Sequence, residues 1–319
     1  MNFIQQAYKG ENNWGYYVLG LLLVFIAVNL GALPLFGVGQ FMAENNAEFI
    51  AASKSNFSSL IGANLSLFLM ILSFAAGLGT LVLCVRFFHK RSFTSLVTSR
   101  NTIDWSRFWF AVMLWGGISI VVITIGILLA PEMHVWNFKP MKFALLVLIS
   151  VLFLPFQTGL EELLFRSYLM QGLGSIAKNR WFPLLVTSVM FGLLHGMNPE
   201  VEKFGMIVMV YYIGTGFLLG IMTLMDEGTE LALGFHAINN IVAAVFVTTD
   251  WAAFQTDALF VDISEPSVEL SMFLPVFVLY PLVLIVFSKK YGWKNWKEKL
   301  TGEISKPLEI QEETIESNG

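Results

Sequence analysis

Eight stretches of this chain are apolar over a length close to a membrane span, and few folds can absorb them. They run near residues 17–36, 60–85, 108–130, 143–158 with a polar continuation, 182–197, 204–225, 231–249 and 270–288. A helix rising about 1.5 Å per residue needs about 20 mostly apolar residues to cross a hydrocarbon core about 30 Å thick. The fourth and fifth stretches are the shortest purely apolar runs, and both carry ionisable residues at or near their ends. Composition points the same way: 56% of residues are hydrophobic and 13% charged, against roughly 25% charged in soluble domains. Too few polar side chains remain to cover a water-facing surface. The expected fold is therefore all-α, a polytopic transmembrane helical bundle of about eight spans in contact with membrane lipids. A net charge of −4 offers no basic stripe for a nucleic-acid backbone, which excludes that partner class.

The distribution of Lys and Arg orients the bundle. With both termini cytoplasmic, Lys9, Arg86, Lys90, Arg91, Arg100, Arg107, Lys178, Arg180, Lys289, Lys290, Lys294, Lys297, Lys299 and Lys306 fall on the cytoplasmic side. Only Lys54, Lys139, Lys142 and Lys203 fall outside. The pattern suits a multi-pass protein of a cell (plasma) membrane. The turn at Asp226, Glu227 and Glu230 is acidic and contributes no positive vote. The first span reads as retained, because Pro34 and Phe36 interrupt the small residues that a signal cleavage site would need. A single cysteine, Cys84, permits neither an intrachain disulfide nor a CxxC zinc site. Residues 1–288 thus form the transmembrane domain. In 289–319, Lys289 to Lys299 interleaves lysines with Tyr291, Trp293 and Trp296, as a helix at headgroup level would. Beyond Pro307 the acidic tail reads as disordered.

Ionisable side chains inside a span are costly and mark functional sites by default. Glu161 and Glu162 continue the fourth span past Pro155, which should kink it, and Arg166 lies four residues beyond Glu162. One carboxylate can pair with the arginine while the other, about 100° round the helix, stays free. His195 ends the fifth span, and His236 and Asn240 share a face early in the seventh. Polar residues also glue membrane helices together, which suffices for Asn29, Asn64 and Gln157. The glycines 205, 214, 216 and 220 likewise read as packing positions. Two glutamates, an arginine, two histidines and an asparagine in apolar segments are too costly for glue alone.

A buried carboxylate and a neutral imidazole can share the deprotonation of water, a role that suits Glu161 with His195. Donors from His236 and Asn240 can stabilise the oxyanion that forms when water adds to a peptide carbonyl. Such a set hydrolyses an amide without a covalent intermediate. There is no HExxH motif, no glycine after Ser175 to form a nucleophile elbow, and no GxGD-type aspartate pair within the spans. A non-standard zinc or manganese site from His195, His236 and a glutamate stays open. So do a transporter, which would need a polar path to both faces, and a non-catalytic scaffold or immunity protein.

EExxxR at Glu161 to Arg166, FxxxH at Phe191 to His195 and HxxxN at His236 to Asn240 resemble the three motifs of the CAAX-protease and bacteriocin-processing (Abi) family. The resemblance covers about 143–249. It implies an intramembrane glutamic endopeptidase without metal or other cofactor, acting on a peptide or protein substrate. Glu161 and His195 would activate water, His236 and Asn240 would form the oxyanion hole, and Glu162 with Arg166 would support the base; the two glutamates could exchange roles. The substrate, lipidated or not, is left open.

Straight helices would not let these residues meet. Glu161 and His236 lie toward the cytoplasmic side, whereas His195 is about 20 Å into its span. The expected solution is a fourth helix extended to about Gly172, with Glu161 in a polar cavity near mid-depth.

Overall fold

The computed structural model describes residues 1–307, so the tail expected to be disordered beyond Pro307 lies outside the described residues. Eight helices form the bundle: α1 (Trp14–Met42), α2 (Ala63–Phe87), α3 (Trp105–Leu129), α4 (Pro140–Ala177), α5 (Trp181–Leu194), α6 (Met209–Asp226), α7 (Glu230–Phe246) and α8 (Tyr280–Tyr291). Counting the short turns that lead into α6 and α8, six are long and apolar enough to cross a membrane, while α5 and α7 are apolar but shorter. The protein is a multi-pass, all-α membrane bundle. The fourth stretch, short as an apolar run, becomes the longest helix, and the seventh joins the fifth as a short one.

Local chemistry sets the boundaries. Asn13 and Asp104 accept hydrogen bonds from Gly15 and Ser106 N–H groups, capping α1 and α3. Pro140 opens α4 at a position where a missing N–H costs nothing. The α4 backbone stays helical through Pro155, and its irregularity comes later, as a π-helical stretch at Leu163–Leu169 directly after the two glutamates. Such stretches widen a helix locally and recur at functional sites. The helix then continues to Ala177, past the expected Gly172.

α1 packs on α2, α2 on α4, α4 on α7 and α7 on α3, forming a continuous wall. α5 and α6 form a pair that meets the π-helical stretch of α4. At Gly216 of α6 an added Cβ would stand 2.6 Å from the Ser188 carbonyl oxygen of α5, so the two backbones approach as only glycine allows. Gly205 differs from the other three glycines of its series: it sits at φ +74 in open space and serves a turn. Asn64 bridges helices by donating to the Lys142 carbonyl, but Asn29 donates to Phe25 of its own helix and glues nothing.

The two ends of the bundle differ in kind. At one end, called here the basic end, Asp226 pairs with Arg100 at 2.9 Å and Arg107 at 2.6 Å. Glu230 pairs with Arg100 at 3.3 Å and Glu227 with Arg180 at 3.1 Å. The acidic turn is thus neutralised by the arginines around it. A 3-10 helix at Ile4–Lys9 packs on the last turns of α4 and completes the layer. The single interfacial helix expected over Lys289 to Lys299 is broken at Gly292, where φ is +64. Trp293 turns inward and donates to Asp226, and Arg107 lies over the Tyr291 ring, because the buried carboxylate needs partners more than the indole needs a headgroup. The far end carries loops and a small sheet of β1 (His134–Trp136), β2 (Val247–Thr248) and β3 (Phe260–Asp262), ordered β1-β3-β2, with β1 antiparallel and β2 parallel to β3.

Candidate active site

Helix lengths dispose of the difficulty posed by straight spans. Glu161 lies sixteen residues before Ala177, or about 24 Å along α4, and His195 fourteen after Trp181, or about 21 Å along α5. Both therefore stand at similar heights above the basic end. They line one cavity of about 880 Å³, together with His236 and Asn240. Its walls are mainly apolar, including Val24 and Phe25 of α1, Leu164 of α4 and Met190 of α5, and Ser53, Lys54, Asn56, Asn198 and Glu200 of the far-end loops add polar groups away from the glutamate. The expected polar cavity is thus apolar over most of its lining.

The glutamates diverge as their helical spacing requires. Glu162 is fully buried and does not line the cavity: its Oε2 is 3.5 Å from Arg166 Nε, and its Oε1 is 2.8 Å from His236 Nδ1. Glu161 faces the cavity, accepts a hydrogen bond from Gln157 Nε2 at 2.5 Å, and has its Oε2 3.6 Å from His236 Nε2. His236 thus stands between the two carboxylates, hydrogen-bonded to the rear one and facing the front one. Arg166, fully buried, rests its guanidinium on the Phe191 ring at 4.1 Å and reaches the Gly216 carbonyl at 3.4 Å. Phe191 also meets His195 and His236, with ring centres 4.7 and 5.9 Å away. The phenylalanine of FxxxH therefore ties the arginine to both histidines.

His195 donates from Nδ1 to the Phe191 carbonyl at 2.8 Å, leaving Nε2 as its remaining proton site. Its ring stacks on Tyr212 at 4.6 Å. Among the described residues no hydrogen bond joins it to Glu161, although both line the cavity. Asn240 donates to Gln157 Oε1 at 2.9 Å and accepts from Asn239, whose own oxygen accepts from Trp115 of α3. Gln157, read from sequence as glue, is therefore a member of the site and links Asn240 to Glu161. Its spacing of four from Glu161 was the available signal, and Asn239 beside Asn240 was another. Nothing in the sequence marks Tyr212. Among the described residues no group of three or more His, Cys, Asp or Glu is arranged to hold a metal ion.

A carboxylate facing an apolar cavity, an imidazole fixed behind it by a second carboxylate and an arginine, and a second imidazole opposite can move protons and orient a polarised carbonyl. Comparison with known proteins agrees in kind. Residues 140–242 match the family model of the Rce1-like type II CAAX prenyl endopeptidases, bearing out the resemblance carried by the three motifs. The chain is 27% identical over 250 residues to the uncharacterized protein YyaK of Bacillus subtilis (strain 168), covering 78% of this chain and 83% of that one. No solved structure matches.

Proposed function

We propose that this protein is an intramembrane endopeptidase that hydrolyses a peptide bond with water activated by Glu161. The observation that carries the proposal is the division between the glutamates: Glu161 lines the cavity beside His236, while Glu162 is committed behind it to His236 and Arg166. In the proposed reaction a water between Glu161 and the scissile carbonyl gives one proton to the carboxylate as its oxygen bonds to carbon. His195, whose Nε2 has no protein partner among the described residues, takes that proton from Glu161 and delivers it to the leaving nitrogen as the C–N bond breaks. The tetrahedral oxyanion faces Asn240 and His236, and its collapse breaks the C–N bond. No metal is required by these steps, and both termini lie in the cytoplasm of a plasma-type membrane. The transporter reading is not favoured, because the layer of ion pairs at Asp226, Glu227 and Glu230 closes the basic end.

The test is cleavage of a quenched fluorescent peptide library by purified protein in detergent, comparing wild type with Glu161→Gln, each with and without chelator. Removing the base should lower kcat by about 10²- to 10⁴-fold. Unchanged cleavage by Glu161→Gln would overturn the assignment, and loss on chelation would replace it with a metal site.

A further inference from the structure

His195 sits where its own helix supports it least. It is the first residue of the 3-10 turn His195–Met197 that ends α5, and Gly196 beside it has no neighbour where a Cβ would stand. Its Nδ1 hydrogen bond to the Phe191 carbonyl settles which nitrogen is engaged, but carbonyl oxygens accept over a broad range of directions and the outer torsion of a histidine lacks sharp staggered wells. The plane of the ring is therefore set by packing. Two rings lie against the imidazole: Phe191 of the same helix, with centroids 4.7 Å apart and planes at 50°, and Tyr212 of α6, at 4.6 Å and 24°. The second is the stacked contact, and α5 and α6 approach closely enough to make it, since a Cβ at Gly192 would stand 3.1 Å from the Ile213 backbone nitrogen. Tyr212 is itself held. Its hydroxyl accepts from Asn198 Nδ2 at 3.3 Å, and the Asn198 N–H donates to the His195 carbonyl at 3.0 Å. A closed circuit thus runs from the imidazole to the tyrosine ring, through the hydroxyl to Asn198, and back along the turn to His195. All three residues line the cavity.

We propose that Tyr212 is a positioning residue: its ring sets the plane of the His195 imidazole, and so the direction of Nε2, while Asn198 holds the tyrosine in place. The consequence for hydrolysis rests on the endopeptidase reading; the clamp itself does not. In that reading His195 takes a proton from Glu161 and delivers it to the leaving nitrogen, so Nε2 must address two partners in turn. A misplacement of about 1 Å at such a group can cost about 10²-fold in rate. Phe191 bears on the same imidazole but also supports Arg166 and His236, so its loss would not isolate the effect. Tyr212 does isolate it, because among the described residues its ring contacts are with His195 and the adjacent Tyr211.

The test compares Tyr212→Phe, which keeps the ring, with Tyr212→Leu, which removes it, by two readouts. The first is the ring C–H resonances of His195 in detergent, assigned by their loss in His195→Gln, which a stacked aromatic ring displaces through its ring current. They should move in Tyr212→Leu and stay close to their wild-type positions in Tyr212→Phe. The second is peptide cleavage. Tyr212→Leu should lower kcat by about 10²-fold with KM little changed, and Tyr212→Phe, which gives up one hydrogen bond, should stay within about 10-fold of wild type. Should Tyr212→Leu lower the unfolding midpoint, Tyr212→Met, which fills the space without a ring, takes its place in both readouts. Unmoved His195 resonances in the variant without the ring, or equal losses of kcat with and without the ring, overturn the proposal. The resonances need no hydrolysis, so a wild type that cleaves no peptide counts against the endopeptidase reading, and the clamp is still decided.

Discussion

Two adjacent glutamates occupy opposite energetic positions, and substitution should separate them. Glu162 and Arg166 are both fully buried and 3.5 Å apart, with His236 on the other carboxylate oxygen. Glu162→Gln leaves Arg166 as an uncompensated buried charge, which costs about 3–5 kcal/mol. It should lower the unfolding midpoint in detergent sharply, whereas Glu161→Gln, at the cavity wall, should shift it little while abolishing cleavage. Equal destabilisation by both would show that the pair is not divided between support and reaction. Gln157 is subtler, since its amide serves Glu161 and Asn240 together. A hydrogen bond to a charged group is worth about 1.5–3 kcal/mol, so Gln157→Leu should lower kcat by about 10- to 150-fold. KM should change little, and recovery of much of the rate by Gln157→Asn or Gln157→His would be consistent with a positioning role. Glu161, Glu162, Arg166, His195 and His236 were legible because charge and imidazole in apolar runs are conspicuous, and Asn240 by its spacing of four from His236. Gln157 was not, because an amide in a span is equally consistent with helix glue.

At the scale of elements, close packing of α5 on α6 holds His195 near Tyr212. Gly216→Ala would bring a methyl to within 2.6 Å of the Ser188 carbonyl oxygen. Forcing the helices apart should cost about 1–3 kcal/mol, read as a lower unfolding midpoint, with reduced cleavage because His195 and the Gly216 carbonyl under Arg166 move with it. Gly205→Ala strains only a turn at φ +74 and should spare the site, so equal losses of activity would remove the packing explanation. The order of the eight apolar helices was legible from hydropathy, although two of them, α5 and α7, are shorter than a span needs. The length of α4 was legible only from the need for its residues to meet, which extended it to about Gly172, five residues short of Ala177. Its last turns carry Gln171 and Ser175, which lower hydropathy yet are buried against Arg91 and the N-terminal segment rather than exposed to lipid, and Arg166 just before them is buried against Glu162 and Phe191. The π-helical stretch has no periodic signature of its own, because it widens the helix by tertiary demand.

At the scale of the molecule, the basic end is a seal made by segments far apart in sequence, and one histidine there ties three of them. His89 follows α2, hydrogen-bonds through Nδ1 to the Glu11 carbonyl at 2.8 Å, and lies 2.9 Å through Nε2 from the Tyr168 hydroxyl of α4. Burial holds it neutral, with Arg91 adding repulsion against the bond to Glu11, and lowers its pKa from 6.5 to about 4. The sign follows from which state takes the proton. Above pH 6.5 neither folded nor unfolded His89 is protonated, and the neutral contacts contribute fully. Between 6.5 and about 4 the unfolded chain binds a proton that the folded chain refuses, so folding loses stability progressively as pH falls. The unfolding midpoint in detergent should therefore decline through that window, and His89→Gln, which keeps polar contacts without a titrating ring, should decline less. Parallel curves for the two proteins would place the acid sensitivity elsewhere, among the carboxylates of the seal. A steeper wild-type curve would show that the closed end is held shut partly by a histidine that must stay uncharged.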